Sequence, residues 1–394
     1  MRRPLVLGIE TSCDDTACAV LDGDGRVLSS IVSRQLAAHA PYGGVVPEIA
    51  SREHLANWLP VSEQALAEAG TTAADLDVIA ATRGPGLVGA LLVGLALGKA
   101  LAFALGKPFH AVHHLEGHLY SPFLDARTGA AAAPAATPPP RFHGLVLSGG
   151  HSSLFAVQEG RIETLGETRD DAFGEVFDKV GKRVGLPYPQ GPRVDELAER
   201  GDAAAFRLPV PACGDTLDFS FSGLKSQTLT EIERLERRLG PLDGRPAGAP
   251  PPQPVLDLLA AFRAAAVAQV LDRLERLERR ERAAGRRTRA DDGDGGGAVA
   301  MGAMGAFGAI GAMSATAGPL VVSGGAAANR LLRRELPAWS ARHGRELRLV
   351  PLVYAGDNAA MIAHAALLRH ARGLADDPFA AEAESRIPLE LAGS

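Results

Sequence analysis

Two histidines, His114 and His118, stand four residues apart in the stretch Ala111-Val112-His113-His114-Leu115-Glu116-Gly117-His118. On a helix that spacing stacks both imidazoles on one face, one turn apart. Two neutral imidazoles so placed can bind one borderline metal ion such as zinc or iron(II). The same spacing also arises where histidines simply line a packed helix. Zinc proteases set a glutamate directly after the first histidine as general base. Here Leu115 holds that place and the acid comes one residue late, at Glu116. On a helix this turns the carboxylate away by about 100°. The pattern reads as a metal site without the protease base.

The elements that must position such a helix are strands interrupted by polar turns. Leu5-Val6-Leu7-Gly8-Ile9 is a short apolar run, followed by Glu10-Thr11-Ser12-Cys13-Asp14-Asp15-Thr16 and a second apolar run over residues 17–21. Strand, polar turn, strand is the reading, and such a turn suits a phosphate or metal-phosphate as well as an ordinary hairpin. The theme recurs at residues 144–157 around Ser148-Gly149-Gly150-His151-Ser152. Two such units, one near the start of each half, suggest two related lobes with a cleft between them. Arg83-Gly84-Pro85-Gly86 leads from a strand into an apolar helix over residues 87–105, an arrangement open to anion binding or to close helix packing. Residues 52–69 carry helical spacing with Pro60 as a kink point, and the loop at residues 39–47 is too apolar for a linker. Phe173, Val176, Phe177 and Val180 form an apolar helical stripe. Pro319 to Asn329 reads as strand, glycine turn and helix start, a turn that lets a ring or phosphate approach the backbone. Asp357, at the start of the last long helix, stands where a helix cap belongs.

Composition bounds the possibilities. With 394 residues, 46% hydrophobic and 22% charged, the chain is long enough for two lobes with cores of their own. A net charge of −5 leaves any RNA contact to local basic patches. Three cysteines with no Cys-x-x-Cys imply neither a disulfide framework nor a zinc knuckle, and fit a reducing cytoplasm. Residues 1–10 lack a signal-peptide pattern, and Lys99 interrupts the apolar stretch after Gly86, which reads as a buried helix rather than a membrane span. Residues 126–140, 240–254 and 286–318 read as flexible inserts, the last with glycines at 302, 305, 308 and 311. The arginine-rich stretch at residues 272–289 reads as a solvated helix face.

Taken together the motifs fall in one order: Ile9-Glu10-Thr11-Ser12-Cys13-Asp14, Tyr42-Gly43-Gly44-Val45-Val46-Pro47-Glu48, Gly84-Pro85-Gly86-Leu87, His113-His114-Leu115-Glu116-Gly117-His118, Ser148-Gly149-Gly150-His151, Phe177-Asp178-Lys179, Phe219-Ser220-Phe221-Ser222-Gly223-Leu224-Lys225, Ser323-Gly324-Gly325 to Asn329, and Asp357-Asn358-Ala359-Ala360-Met361. In that order the chain closely resembles the TsaD family, the tRNA N6-adenosine threonylcarbamoyltransferases, nearly throughout apart from the inserts. The resemblance implies an α/β chain with the two-lobed actin/Hsp70/sugar-kinase (ASKHA) fold, each lobe a mixed sheet with flanking helices. Residues 1–112 would form the first lobe, with a closing helix at about 357–373 returning to it, and residues 113–356 the second. The resemblance makes His114, His118 and Asp357 ligands of one divalent metal, iron(II) with zinc as the other option. It makes Val146, Leu147, Ser148, Gly149, Gly150, Asp178, Gly191, Asp195 and Asn329 substrate contacts. It implies transfer of threonylcarbamoyl from threonylcarbamoyl-AMP to the amine of the adenosine after the anticodon in tRNAs reading codons that begin with A. TsaB and TsaE are the implied partners, with no membrane. No general base is evident. One departure stands out: the family commonly has Tyr-Pro-Gly-Gly-Pro where this chain has Tyr188-Pro189-Gln190-Gly191-Pro192. A kinase of the same fold, a metalloprotease and a nucleotide-binding scaffold are the competing readings, and a kinase leaves the histidine pair without a role.

Overall fold

The computed structural model describes residues 3–210, 213–242, 250–291 and 318–389. Ten strands form two five-stranded sheets among these residues. The first holds β1 (Val6–Glu10), β2 (Asp15–Leu21), β3 (Val27–Arg34), β4 (Val78–Gly84) and β5 (Phe109–His113) in the order β3-β2-β1-β4-β5. The second holds β6 (Arg141–Leu147), β7 (Ser152–Gln158), β8 (Arg161–Glu167), β9 (Leu320–Ser323) and β10 (Leu347–Leu349) in the order β10-β9-β6-β7-β8. In each sheet the first three strands run as an antiparallel meander, and the last two add in parallel on the free side of the first. The two sheets are therefore topological copies, which bears out the two-lobed mixed-sheet expectation.

Among the described residues ten α-helices connect and cover the sheets: α1 (Leu36–His39), α2 (Pro47–Glu68), α3 (Val88–Leu105), α4 (His114–Tyr120), α5 (Phe173–Arg183), α6 (Gln190–Ala198), α7 (Ser222–Leu239), α8 (Gln253–Asp291), α9 (Arg330–His343) and α10 (Ala359–Ala371). The central strands β1, β4, β6 and β9 are buried on both faces because both faces are covered, whereas the edge strand β8 alternates buried and exposed residues. Val6, Ala17, Ala19, Val78 and Ala80 of the first sheet share one core with Phe142, Val146, Phe155 and Val321 of the second, and α4 and α10 fill it. Their alternates Leu7, Ile9, Cys18 and Ile79 pack outward with Val61, Ala65 and Leu95 of α2 and α3. Leu145, Leu147, Leu154 and Val322 pack outward with residues of α5 to α9. The period-two alternation of each strand thus divides it between an inner and an outer core. Small residues allow the inner layer to close. A side-chain carbon on Gly8 would lie 2.3 Å from the carbonyl oxygen of Ala359 in α10, and one on Gly144 would lie 2.1 Å from Leu119 of α4.

Local sequence explains several boundaries. The turn between β7 and β8 is Glu159-Gly160, with φ of 51° and 80°, the two-residue geometry that suits the twist of a hairpin. Pro47 opens α2, earlier than the expected start near residue 52, because a proline at the first helical position gives up no intrahelical bond. Residues 126–140 are tied down where the amides of Ala135 and Ala136 donate to the carbonyls of Asp24 and Phe123. The expected inserts at 240–254 and 286–318 lie partly, and the recurring glycines wholly, outside the described residues. The arginine-rich end of α8 is not wholly solvated: Arg273 is buried and donates to the carbonyl of Thr216 at 2.9 Å. Two helices, Val88–Leu105 and Gln253–Ala283, are long and apolar enough to cross a membrane by length and composition alone, and the second is mostly buried in the molecule.

Candidate metal centre and cleft

The strands β1, β4 and β5 run parallel and deliver their carboxyl ends to one edge of the first sheet. Ligand sites of open α/β sheets form at such edges. β5 ends at His113 and α4 begins at His114 without an intervening loop. The His113 imidazole itself caps the helix, its Nδ1 accepting from the amide of Leu115 at 3.1 Å. Burial pushes the His113 pKa down to about 3, which keeps that nitrogen free to accept. His114 and His118 follow on one face with ring centroids 4.7 Å apart. Their Nε2 atoms lie 3.5 and 3.3 Å from Oδ1 of Asp357, and the three potential ligand atoms sit within 4.8 Å of one another.

Asp357 is not the cap of α10. That place belongs to Asn358, whose Oδ1 accepts from the amide of Met361 at 3.0 Å, while its amide group donates to the carbonyls of Tyr354 and Gly356. Both residue types cap helices, so adjacent Asp and Asn are not distinguished by sequence. The structure frees the Asp357 carboxylate to face the imidazoles.

The opposite nitrogen of His114 meets a carboxylate. Glu10, wholly buried at the end of β1, sets Oε2 at 3.0 Å from His114 Nδ1. Thr82 Oγ1 donates to the same oxygen at 2.6 Å, the Ser12 amide donates to Oε1 at 2.5 Å, and Ser12 Oγ lies 3.2 Å from His114 Nδ1. A carboxylate on the far nitrogen of an imidazole fixes its tautomer and aims the near nitrogen at an ion. Burial disfavours the His114 cation, yet Asp357 and Glu10 together push its pKa up to about 9. Burial likewise opposes ionisation of Asp357, but the facing His114 and His118 outweigh it and hold that carboxyl well below its usual range. His118 is wholly buried, and neither ring nitrogen makes a hydrogen bond among the described residues. A buried imidazole whose one near polar neighbour among the described residues is the Asp357 carboxylate at 3.3 Å, a second imidazole braced by Glu10, and Asp357 itself fit a divalent ion. Glu116 points elsewhere, its carboxylate 3.3 Å from Arg369 of α10.

The remaining expected contacts lie in the second lobe. Val146 and Leu147 are wholly buried strand residues whose side chains enter the cores, so only their backbone faces the turn. Ser148 closes that turn by exchanging bonds with His151, and its carbonyl accepts from Gly174 at the start of α5. Gly149 and Gly150 are exposed, with nothing within 4 Å of an added side-chain carbon. His151 is pushed down to about 4 by burial, with the nearby His114 and His118 adding repulsion, which sets this turn beside the metal ligands. Asp178 accepts from the amide of Gly191 at 2.7 Å, and burial raises its carboxyl pKa. Asp195 accepts from the amide of Arg330 at 3.0 Å and from Arg263 at 3.2 Å, so it shares the start of α9 with Asn329, which caps that helix. Gln190, the departure from the family turn, is buried over Gly181 and lies outside the left-handed region, so its position needs no glycine. Sequence reasoning missed Glu10 as the brace of His114, and missed Thr82. The one signal was a lone acid ending an otherwise apolar strand.

Twin mixed sheets enclosing a cleft make this an actin-like ASKHA fold, and the His–His–carboxylate group marks it as one able to hold a metal. HypF from T. kodakarensis shares the fold over 94% of this chain and 48% of its own, with a TM-score of 0.51 and 14% identity. The family model for TsaD, tRNA N6-adenosine threonylcarbamoyltransferase, matches residues 26–364. Proteins of that name from Pelobacter propionicus (44% identity, 91% of this chain and 90% of the relative), Sorangium cellulosum (44%, 97% and 97%) and Thermus thermophilus (42%, 100% and 100%) align nearly end to end. The chain belongs to the TsaD family of tRNA-modifying transferases.

Proposed function

We propose that this protein transfers the threonylcarbamoyl group of threonylcarbamoyl-AMP to N6 of the adenosine following the anticodon in tRNAs that read codons beginning with A. The observation that carries the reading is the His114, His118 and Asp357 group in a chain of this family. These residues would hold one divalent ion, iron(II) by resemblance to the family. Bound there, the ion supplies Lewis acidity toward the group being transferred. Glu10 orients His114, and Asp357 balances charge in the cleft. The Ser148–Gly150 turn, with Asp178, Gly191, Asp195 and Asn329, would hold the AMP part of the donor by backbone approach and polar contact. Positioning of donor and amine then supplies much of the rate. No general base is assigned. The kinase reading is not favoured, because it gives the metal group no task.

Residues 1–112, with the closing helix, and residues 113–356 serve as the two lobes of this cytoplasmic enzyme. TsaB and TsaE act as partners. Leu55 and Leu59 of α2 are 64% and 60% exposed, and Val88 and Leu92 of α3 are 44% and 53% exposed. The two helices approach closely at Ser51 and Gly89, which supports a shared apolar docking face. The test is mass spectrometry of tRNA nucleosides after incubation with threonylcarbamoyl-AMP, with and without TsaB and TsaE. The modified nucleoside should accumulate over many turnovers only with the partners. Its absence with both partners and donor present overturns the reading, and steady ATP-dependent phosphorylation of a small acceptor favours the kinase.

A further inference from the structure

Behind the β1–β2 turn, three wholly or nearly wholly buried polar side chains form a directed chain of hydrogen bonds. The amide of Val46 donates to Nδ1 of His39 at 3.2 Å. That leaves the proton of His39 on Nε2, which lies 3.1 Å from Oε1 of Gln35. The Gln35 amide group then points its Nε2 at the carbonyl of Ala50 and at Nδ1 of His54, each at 3.3 Å. Thr16 Oγ1 donates to the same nitrogen at 2.8 Å, so the His54 proton lies on Nε2 and is given to the carbonyl of Cys13 at 3.0 Å. The Val46 amide, which can only donate, and the Cys13 carbonyl, which can only accept, fix the direction at the two ends, and His54 Nδ1 is shared between Thr16 and the longer contact from Gln35. Burial lowers the His54 pKa, so the imidazole keeps the acceptor the chain requires.

Both ends of this chain meet the second lobe. At one end, the loop before Val46 offers the carbonyl of Gly43 to Lys182 Nζ at 3.2 Å. At the other, Asp14 next to Cys13 accepts from the hydroxyl of Tyr188 at 3.0 Å. The same turn carries Ser12 onto His114, and the backbone N–H of Gln35 donates to the carbonyl of Asp14. The Ser12 and Asp14 carbonyls are held separately by the backbone amides of Leu87 and Gln35, and His54 holds the Cys13 carbonyl between them.

We propose that His54, through the His39–Gln35–His54 chain, is a positioning residue for the transfer reaction, fixing the turn at residues 12–15 against the metal ligands and Tyr188. This rests on the function proposed above. A displaced turn carries Ser12 and Asp14 with it, and misplacement by about 1 Å near reacting groups costs up to about 100-fold in rate.

The test uses the full chain with its partners and pairs two readouts. Hydrogen exchange follows the amides of residues 12–16 and needs no reaction. Steady-state kinetics separate kcat from the KM for tRNA. His54→Leu should speed exchange at the turn and lower kcat about tenfold or more with the tRNA KM nearly unchanged. His54→Gln, which can still donate to Cys13 and accept from Thr16, should restore both. Gln35→Met breaks the middle link without touching the cleft, should act in the same direction, and decides the matter if His54→Leu fails to fold. Unchanged exchange, an unchanged kcat, or a loss confined to melting temperature overturns the positioning role. If the unaltered protein gives no modified nucleoside with its partners, the proposed function itself falls, and the exchange result then separately decides whether the chain orders the turn.

Discussion

The two strand–turn–strand units are the same in topology and opposite in construction. The β1–β2 turn is packed from behind. Glu10 and Ser12 are buried, the Cys13 carbonyl is held by His54, and Gly86 lies so close that an added carbon would sit 2.5 Å from the Ser12 carbonyl oxygen. The β6–β7 turn is held at its base, where Gly174 packs against Ser148, and open at its tip. Gly149 and Gly150 are exposed, and an added carbon would meet nothing within 4 Å. One turn directs its hydrogen bonds inward to hold side chains in place, and the other presents bare backbone to the cleft. Under the proposed function the two copies of the topology divide two tasks: bracing an ion site in the first lobe and receiving a ligand in the second. Carboxylates cluster at the braced turn, where burial and the neighbouring Asp357 and Asp14 push Asp15 up to about 7. No side chain crowds the open one.

The contrast breaks first if the braced side has no ion to serve. Asp357→Asn removes a charged ligand but leaves the Asn358 cap, so the melting temperature of the metal-free protein should fall only modestly, by the lost attraction to His114 and His118. Metal affinity, measured by titration, should fall by more than about 100-fold, since outer partners alone are worth about 10–100-fold. Product formation should fall with it. Asn358→Ala is the control, costing about 1 kcal/mol of stability with metal stoichiometry unchanged. Full metal occupancy in Asp357→Asn would remove the site. Next is Glu10→Gln, which keeps the volume and loses the charge facing His114. Metal affinity should drop about 10–100-fold. Equal affinity in the variant and the parent would reduce Glu10 to a packing residue.

A smaller effect sharpens the comparison further. Gly86→Ala forces a carbon against Ser12 and should cost about 1–3 kcal/mol by overpacking. Because Ser12 Oγ touches His114, the metal affinity should weaken along with the melting temperature. A stable variant with unaltered affinity would show that the turn is looser than its packing implies.

Much of this organisation was legible in the sequence, though unevenly. The apolar runs and polar turns of β1–β2 and β6–β7 marked two related lobes, because strand periodicity and turn chemistry are local. The spacing of His114 and His118 marked a metal helix for the same reason. Glu10 was invisible as a partner of His114, since 104 residues separate them. Only the parallel pairing of β1, β4 and β5 brings their ends together. Position alone offered Asp357 as a cap, because the true cap is its neighbour, and only the resemblance made it a ligand. His39, Gln35 and His54 look like scattered polar residues in a loop and a helix until the fold closes around them. What sequence could not express was the pairing of side chains across elements, and that is where the braced turn differs from the open one.

The smallest predicted effect tests the open turn. Gly149 lies in neither crowded space nor the left-handed region, so Gly149→Ala adds a methyl to solvent. Gly-to-Ala changes at compatible positions shift stability by about 0.4–1 kcal/mol, here toward greater stability, because the unfolded chain loses freedom. The melting temperature should therefore hold or rise slightly, in contrast to Gly86→Ala. If the bare backbone receives the nucleotide part of the donor, the methyl occupies the approach path. The KM for threonylcarbamoyl-AMP should rise while metal affinity stays level. That division of effects, ligand binding without metal or stability, is what an open turn predicts and a braced one does not. A Gly149→Ala protein with an unchanged donor KM would show that the ligand approaches elsewhere. A fall in melting temperature instead would show that the turn carries packing its open surroundings do not reveal.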